Sequence, residues 1–426
     1  MPQRRKKAKF FLLSAVCFLL VGCTGKTEDA VSPKKEDVIL SVCIAEEQWN
    51  DAIGGVTRLY LKEHPEISDI QWTLVSKSTY WDLMKMKLAT GKLPDIMEIG
   101  TGEELREWHS HLVPLDELPI LNEISQELLD QGIEDGCCYT IPQALYGRGI
   151  LYNSELLSEA GWDRLPETYS ELRSLCETLE KKGINPFMNP YHEITTWVES
   201  GLLQMISMKR NPWLYLEHLK RANQKPLLEE REWEILLDFC DLTLEYGNRR
   251  PLQLSTDLAR NYFYIGRYAM FLNGSARDMA GMKKAGKGME NKAKIGPMLL
   301  SDSKDENLLL MDTVRLGITN QSEHIEEAKE FLIWLISDEE AVEYQKKNMG
   351  ILPAIEKFCI NGLDSMANDT YQYWKEGKMT DDLMGALPLG AVEATSSEWA
   401  RYIGGEIGRK ELAEVYETYW KKNAQQ

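Results

Sequence analysis

Twelve Trp and 18 Tyr against nine Phe tilt the aromatic content toward rings that carry a polar tip. Such rings suit a partly wet cleft, where the apolar face of a sugar ring stacks and its hydroxyls find hydrogen bonds. Seven residues are candidates for that chemistry by their place in the chain. Trp49 lies in EEQWND, just past the carboxyl end of the first expected strand, where open α/β sheets bind ligands. Tyr146 neighbours Arg148 and Tyr152 in the run CYTIPQALYGRGILYN, and Asn273 and Ser275 form a turn whose backbone and hydroxyl can donate to a ligand oxygen. Asp312 stands in a polar break before Val314, and Trp197 and Trp374 sit in YHEITTWVE and YQYWKEG. Each has a structural reading beside the functional one: core or surface for the rings, an ordinary strand-to-helix turn for Ser275. Trp72, Trp233 and Trp334 lie on regular apolar faces and are expected in the core.

Other chemistries find little support. There is no Gly-x-Ser-x-Gly elbow, His-Glu-x-x-His, phosphate loop or Cys-x-x-Cys. His109 and His111 offer two metal ligands, but the chain holds only six His, and the pair reads as surface. No metal or cofactor is expected. Carboxylate pairs such as Glu46-Glu47 and Glu103-Glu104 abound because the chain is acidic, and spacing alone singles out no pair held across a glycosidic bond. The net charge is -18, and taking the five cations of the N-terminus from 49 leaves 44 basic against 67 acidic residues. Nucleic acid is therefore a poor partner.

The N-terminus carries a basic head, RRKKAK, then twelve mostly apolar residues from Phe10 to Val21, too short for the roughly 20 that span a bilayer. It reads as a signal sequence over 1–22, and Leu20-Val21-Gly22-Cys23 resembles the bacterial lipobox, which implies lipidation of Cys23. Thr24 to Asp37 is a polar tether. Cys176 and Cys240 fall on apolar helix stripes and read as core. A bridge between the neighbours Cys137 and Cys138 would be strained.

The candidates must be positioned by a β-α-β-α-β unit: a strand over Val38–Ile44, a helix from about Asn50 to Lys62, a strand through Ile70, Trp72 and Leu74, a helix bearing Tyr80, Leu83, Met84 and Leu88, and a strand over Asp95–Ile99. Gly91 suits a left-handed cap there, and Pro94 stops the helix. This is the signature of a parallel sheet. The central run reads as two short strands joined by a bendable crossing at Pro142, Gly147 and Gly149, after which Asn153 or Ser154 caps a helix. Thr168 with Glu171, and Ser337 with Glu340, form capping boxes. A final helix spans Arg409 to Lys421.

Four passages resemble extracellular solute-binding proteins: KLATGKLPDIMEI, YTIP…GILYNSELLSEAGWDRLPETYSEL, GRYAMFLNGS and SDEEAVEYQKKNMGILPAI. The resemblance implies an α/β, two-lobe periplasmic-binding-protein-like fold of type II, with discontinuous lobes joined by a hinge and a ligand cleft between them. The expected lobes are 38–144 with 294–336, and 145–293 with 337–426. It further implies a substrate-binding lipoprotein of an ABC importer, held on the outer face of the cytoplasmic membrane by its lipid. Such a protein acts as a monomer and captures a carbohydrate, in particular an oligosaccharide, for the permease subunits. A non-sugar solute and a lipid-anchored glycoside hydrolase are the alternatives. Arg148 and Arg277 keep an anionic ligand open.

Overall fold

The computed structural model describes residues 37–222, 226–383, 385–388 and 390–423. The expected leader, Cys23 and all of the expected tether but Asp37 lie outside the described residues. Strand β1 (Val38–Ile44) runs parallel to β2 (Ile67–Leu74) and to β3 (Ile96–Glu98), as the alternating and apolar runs require. The crossovers are α1 (Ile53–Glu63) and α2 (Lys77–Ala89). Helix α1 begins later than expected because Glu47–Trp49 is a separate 3-10 turn. Gly91 takes φ +64 after α2. Helices α3 (Glu103–Trp108) and α4 (Gln126–Asp130) and the hairpin β4 (Ile133–Glu134) and β5 (Cys137–Cys138) lead into the central strand. The six described cysteines are all free.

That strand, β6 (Ile141–Asn153), is continuous, which corrects the expected pair of short strands. Local breakers lose to the neighbours that flank them. Pro142 pairs opposite Arg315, where the facing strand shifts register between Val314 and Arg315, so its missing donor falls at an irregularity. Gly149 is there for close approach, since a Cβ would come 2.2 Å from the Gly296 carbonyl oxygen. Asn153 ends the strand and caps α5 (Ser154–Glu159), its Oδ1 accepting from the Glu155 and Leu156 amides.

Helix α6 (Tyr169–Lys181) starts at Thr168, whose hydroxyl accepts from Glu171 N at 3.2 Å. Then come β7 (Phe187–Met188), α7 (Ile194–Ser207), α8 (Pro212–Lys220), α9 (Arg231–Glu245), α10 (Thr256–Tyr264), β8 (Met270–Ser275), α11 (Met279–Ala285) and β9 (Ala293–Gly296). Strand β10 (Leu310–Ile318) begins earlier than expected and includes Asp312. Helix α12 (Ile325–Ser337) gives way to α13 (Glu339–Met349), whose cap is Asp338 and not Ser337; the Ser337 hydroxyl bonds back to Ile333 O. Short β11 (Leu352–Pro353) and helices α14 (Ser365–Lys375), α15 (Ala391–Ile403) and α16 (Arg409–Asn423) complete the chain.

Among the described residues the main sheet has nine strands in the order β2-β1-β3-β10-β6-β8-β7, with β9 and β11 also on β6. One core lies around β1, β3, α1, α12 and α13; the other packs β6, β7 and β8 against α6, α7, α9, α15 and α16. Helix α13 packs on α1 and α12. Gly55 of α1 makes this possible, because a Cβ there would lie 1.9 Å from Tyr344 Oη, which itself donates to Ala52 O at 2.9 Å. The second core is knit by the Tyr416 hydroxyl, which accepts from Trp399 Nε1 at 2.6 Å and bonds Thr395 Oγ1 at 2.9 Å.

Candidate functional site

The register of the sheet places Tyr146 of β6 directly across from Asp312 of β10, and Arg148 across from Ser275 of β8. These positions lie where the carboxyl ends of β1 and β3 approach the crossing strands. Residue Glu46, just past β1, is 3% exposed, and Trp49 in the turn that follows is 1% exposed. The expected turn at Asn273 and Ser275 is instead the end of β8: Asn273, with φ +60, sits where the strand bulges between its partners Gly149 and Ile150, and the chain leaves the sheet only after Ser275, whose backbone N–H donates to Asp278 Oδ2 while its hydroxyl accepts from Arg277 N. That capping box aims Arg277 back over the sheet.

Arg277 is the hub. Its Nη2 lies 2.9 Å from Glu46 Oε1 and its Nη1 2.8 Å from Asp312 Oδ2, while the guanidinium carbon stands 4.4 Å from the centre of the Tyr146 ring. Arg148 pairs with the same Asp312 oxygen. The Trp49 indole lies beside the Tyr146 hydroxyl without closing a well-formed hydrogen bond. At the rim, Lys77 of α2 reaches Glu199 of α7 at 3.4 Å, and Glu98 Oε2 accepts from Ala45 N at 2.7 Å. Glu104 accepts from Trp81 Nε1 and from Gly100 N, each at 3.1 Å.

The field within this group is uneven. Burial raises the Glu46 carboxyl, against the pull of Arg277, and burial raises Glu98, with repulsion from Glu46 added. Burial lifts Glu104 to about 7 despite Lys77 nearby. Asp312 is the contrary case. Burial works to raise it, but Arg277, Arg148 and Lys77 together hold it well below the usual carboxylate range. The arrangement thus offers guanidinium donors, carboxylate acceptors and aromatic faces in one water-poor space, a set that matches hydroxyl-rich ligands. Both arginines face carboxylates, so a free basic cluster for an anion is not formed.

Of the seven candidates, Trp49, Tyr146 and Asp312 come together around Arg277, and Ser275 positions Arg277 through its turn. Asn273 Nδ2 donates to Thr196 O at 3.2 Å, tying β8 to α7, while its Oδ1 is buried without a partner. Trp197, 2% exposed, is taken up by the second core, edge-on to Tyr191 at 5.2 Å and to Trp399 at 6.1 Å. Trp374 stands on α14, half-buried, with its ring 6.2 Å from Tyr371. Sequence reasoning missed Glu46, Glu98 and Glu104 as parts of a shared site. Their only signal was position: Glu46 just past β1, Glu98 at the end of β3 and Glu104 at the start of α3. His109 is turned onto its own helix, with Nδ1 2.9 Å from Arg106 O. Among the described residues His64, Glu66 and Glu330 bring ligand atoms within 4.8 Å of one another, yet His64 is already stacked on Tyr60 and bonded to Glu66.

The family model of the bacterial extracellular solute-binding proteins matches residues 46–342. Similar solved structures include RafE in complex with raffinose, with a TM-score of 0.75 and 14% identity, covering 91% of this chain and 100% of that one. A sugar transporter from Bacillus licheniformis in complex with stachyose has a TM-score of 0.73 and 15% identity over 91% of this chain and 100% of its own. An ABC substrate-binding protein from Listeria monocytogenes in complex with cycloalternan has a TM-score of 0.73 and 16% identity, covering 91% and 99%. The fold is therefore the α/β two-lobe periplasmic-binding-protein-like arrangement of type II. With the family model covering most of its length, the chain belongs to the bacterial extracellular solute-binding proteins.

Proposed function

We propose that this protein captures a carbohydrate between its two lobes and hands it to the permease of an ABC importer, without chemical turnover. The lobes are read as 38–144 with 294–336 and 145–293 with 337–426, with α13 moved to the first. The observation that carries the reading is the cluster in which Glu46 from the β1 side and Arg277 from the β8 side meet over Tyr146 and Asp312. A ligand whose hydroxyls engage both sides binds the closed arrangement better than the open one, and shifts the equilibrium by that difference alone. Trp49 and Tyr146 supply apolar faces, and Arg277, Arg148, Glu46 and Glu98 supply donors and acceptors. The sugars bound by the similar proteins agree with this chemistry. Cys23 is the proposed lipid attachment, holding a monomeric body on the outer face of the cytoplasmic membrane.

The test is thermal unfolding of residues 24–426 against saccharides, polyamines, peptides and sugar phosphates. A bound ligand at a hundredfold excess over its dissociation constant adds about 2.7 kcal/mol. A shift with one saccharide class, recovered intact afterwards, is the expected result. Shifts confined to another class replace the carbohydrate, and cleaved sugar in the tube moves the protein to the hydrolases.

A further inference from the structure

We infer that a second saccharide subsite lies between α3–α4 and α8, extending the buried cluster toward the surface, with Trp213 as its stacking face. The inference rests on the carbohydrate reading above and adds where a longer ligand would run. A cavity of about 370 Å³ opens there, within the range of small-ligand sites. Trp213 of α8 enters it half-buried, its indole fixed by Nε1 donating to Asp381 Oδ2 at 2.7 Å. A ring held by its polar end presents its face, which is what a pyranose needs.

Opposite stand Leu105, which is buried, and Arg106, paired with Glu103 and Glu134. Gln131 lines the same space, and its side-chain carbonyl oxygen is buried with no hydrogen-bond partner. A buried acceptor left open is costly unless something donates to it, and a sugar hydroxyl is a fitting donor. The cavity also bridges the two sides of the molecule. Lys220 of α8 pairs with Glu103 of α3, so the walls are brought together by closure.

Thr101 and Asp382 stand between the cavity and the charged cluster. Thr101, which lines the cavity, donates to Asp382 O at 2.9 Å, and the Asp382 carboxylate accepts from Thr313, the neighbour of Asp312. Thr101 and Asp382 are both buried, so for a ligand seated on Tyr146 and Arg277 to reach Trp213 their contact must open, a gain that only the longer members of a series can make.

The experiment is titration calorimetry with malto-, xylo-, N-acetylchito- and raffinose-series oligosaccharides of one to five units, on the wild-type protein and on Trp213→Ala and Gln131→Ala. The expected result is affinity that rises with length, and a loss of about tenfold in Trp213→Ala confined to the longer members of the series that binds. Gln131→Ala repeats the pattern with a smaller loss and serves alone if Trp213→Ala fails to fold. Binding that is independent of length, or weakened equally at every length, overturns the subsite and leaves the carbohydrate reading intact. If no saccharide of any length binds, both fall together.

Discussion

Replacing Arg277 with Met removes the charge at the centre of the cluster and keeps an apolar stem over the Tyr146 ring. The guanidinium lies 2.9 Å from Glu46 and 2.8 Å from Asp312, with 11% of its side chain exposed. Removing one partner of a buried ion pair costs about 3–5 kcal/mol, because a charge is left without compensation. Here two carboxylates lose their shared cation, and Asp312 retains Arg148, so a loss of about 4 kcal/mol at pH 8 is expected. The loss must also depend on pH, with a definite sign. Burial already raises Glu46, and without Arg277 it rises further. A carboxyl whose folded pKa lies above its unfolded value leaves stability intact below the unfolded pKa, and stability is lost as pH climbs through the folded one. The deficit of Arg277→Met is therefore smaller at pH 5, where Glu46 takes a proton, than at pH 8. Urea unfolding followed by Trp fluorescence at the two pH values measures it. A deficit under about 1 kcal/mol at pH 8, or one that is larger at pH 5, refutes the assignment of Arg277 as the compensating charge.

Three further outcomes are expected. The same sign rule applies to the wild type, in which Glu46, Glu98 and Glu104 are all raised, so stability falls from pH 5 to pH 8; Asp312 opposes this only below about pH 4. Glu104→Gln flattens that profile in urea titrations, and an unchanged slope contradicts the raised carboxyl. Gly149→Ala forces a Cβ to within 2.2 Å of the Gly296 carbonyl and costs about 1–3 kcal/mol, which a denaturant midpoint equal to wild type would disprove. Tyr416→Phe strips the Trp399 indole of its acceptor inside the second core, for a loss of about 1–3 kcal/mol in the same assay.

The β2-β1-β3 end of the sheet was legible because each of its elements announces itself locally. Val38–Ile44 is an apolar run broken only by Ser41, Tyr80 and Met84 share a helix face, and Gly91 and Pro94 end that helix. The central crossing was not. Pro142, Gly147 and Gly149 read as breaks, and what overrides them is four partner strands drawn from distant parts of the chain. The site divides the same way. Trp49, Tyr146 and Asp312, which the fold brings together around Arg277, were singled out by residue type and place. Glu46, Glu98 and Glu104 were hidden because an acidic chain carries dozens of carboxylates, and only long-range packing separates buried ones from solvated ones. Trp197 shows the converse, since nothing in YHEITTWVE distinguishes a cleft ring from one enclosed by Tyr191, Phe239 and Trp399.

Strand β6 has a consequence for how the molecule comes apart. All thirteen of its residues are buried, and β8, β9, β10 and β11 all hydrogen-bond to it. Neither half can melt while the other keeps its own copy of this strand, because there is only one. Heat should thus produce a single calorimetric transition, although two lobes of this size could in principle unfold in turn. Within that transition the amides of Ala144 to Leu151 should exchange with deuterium only through global opening, later than those of α1 or α16.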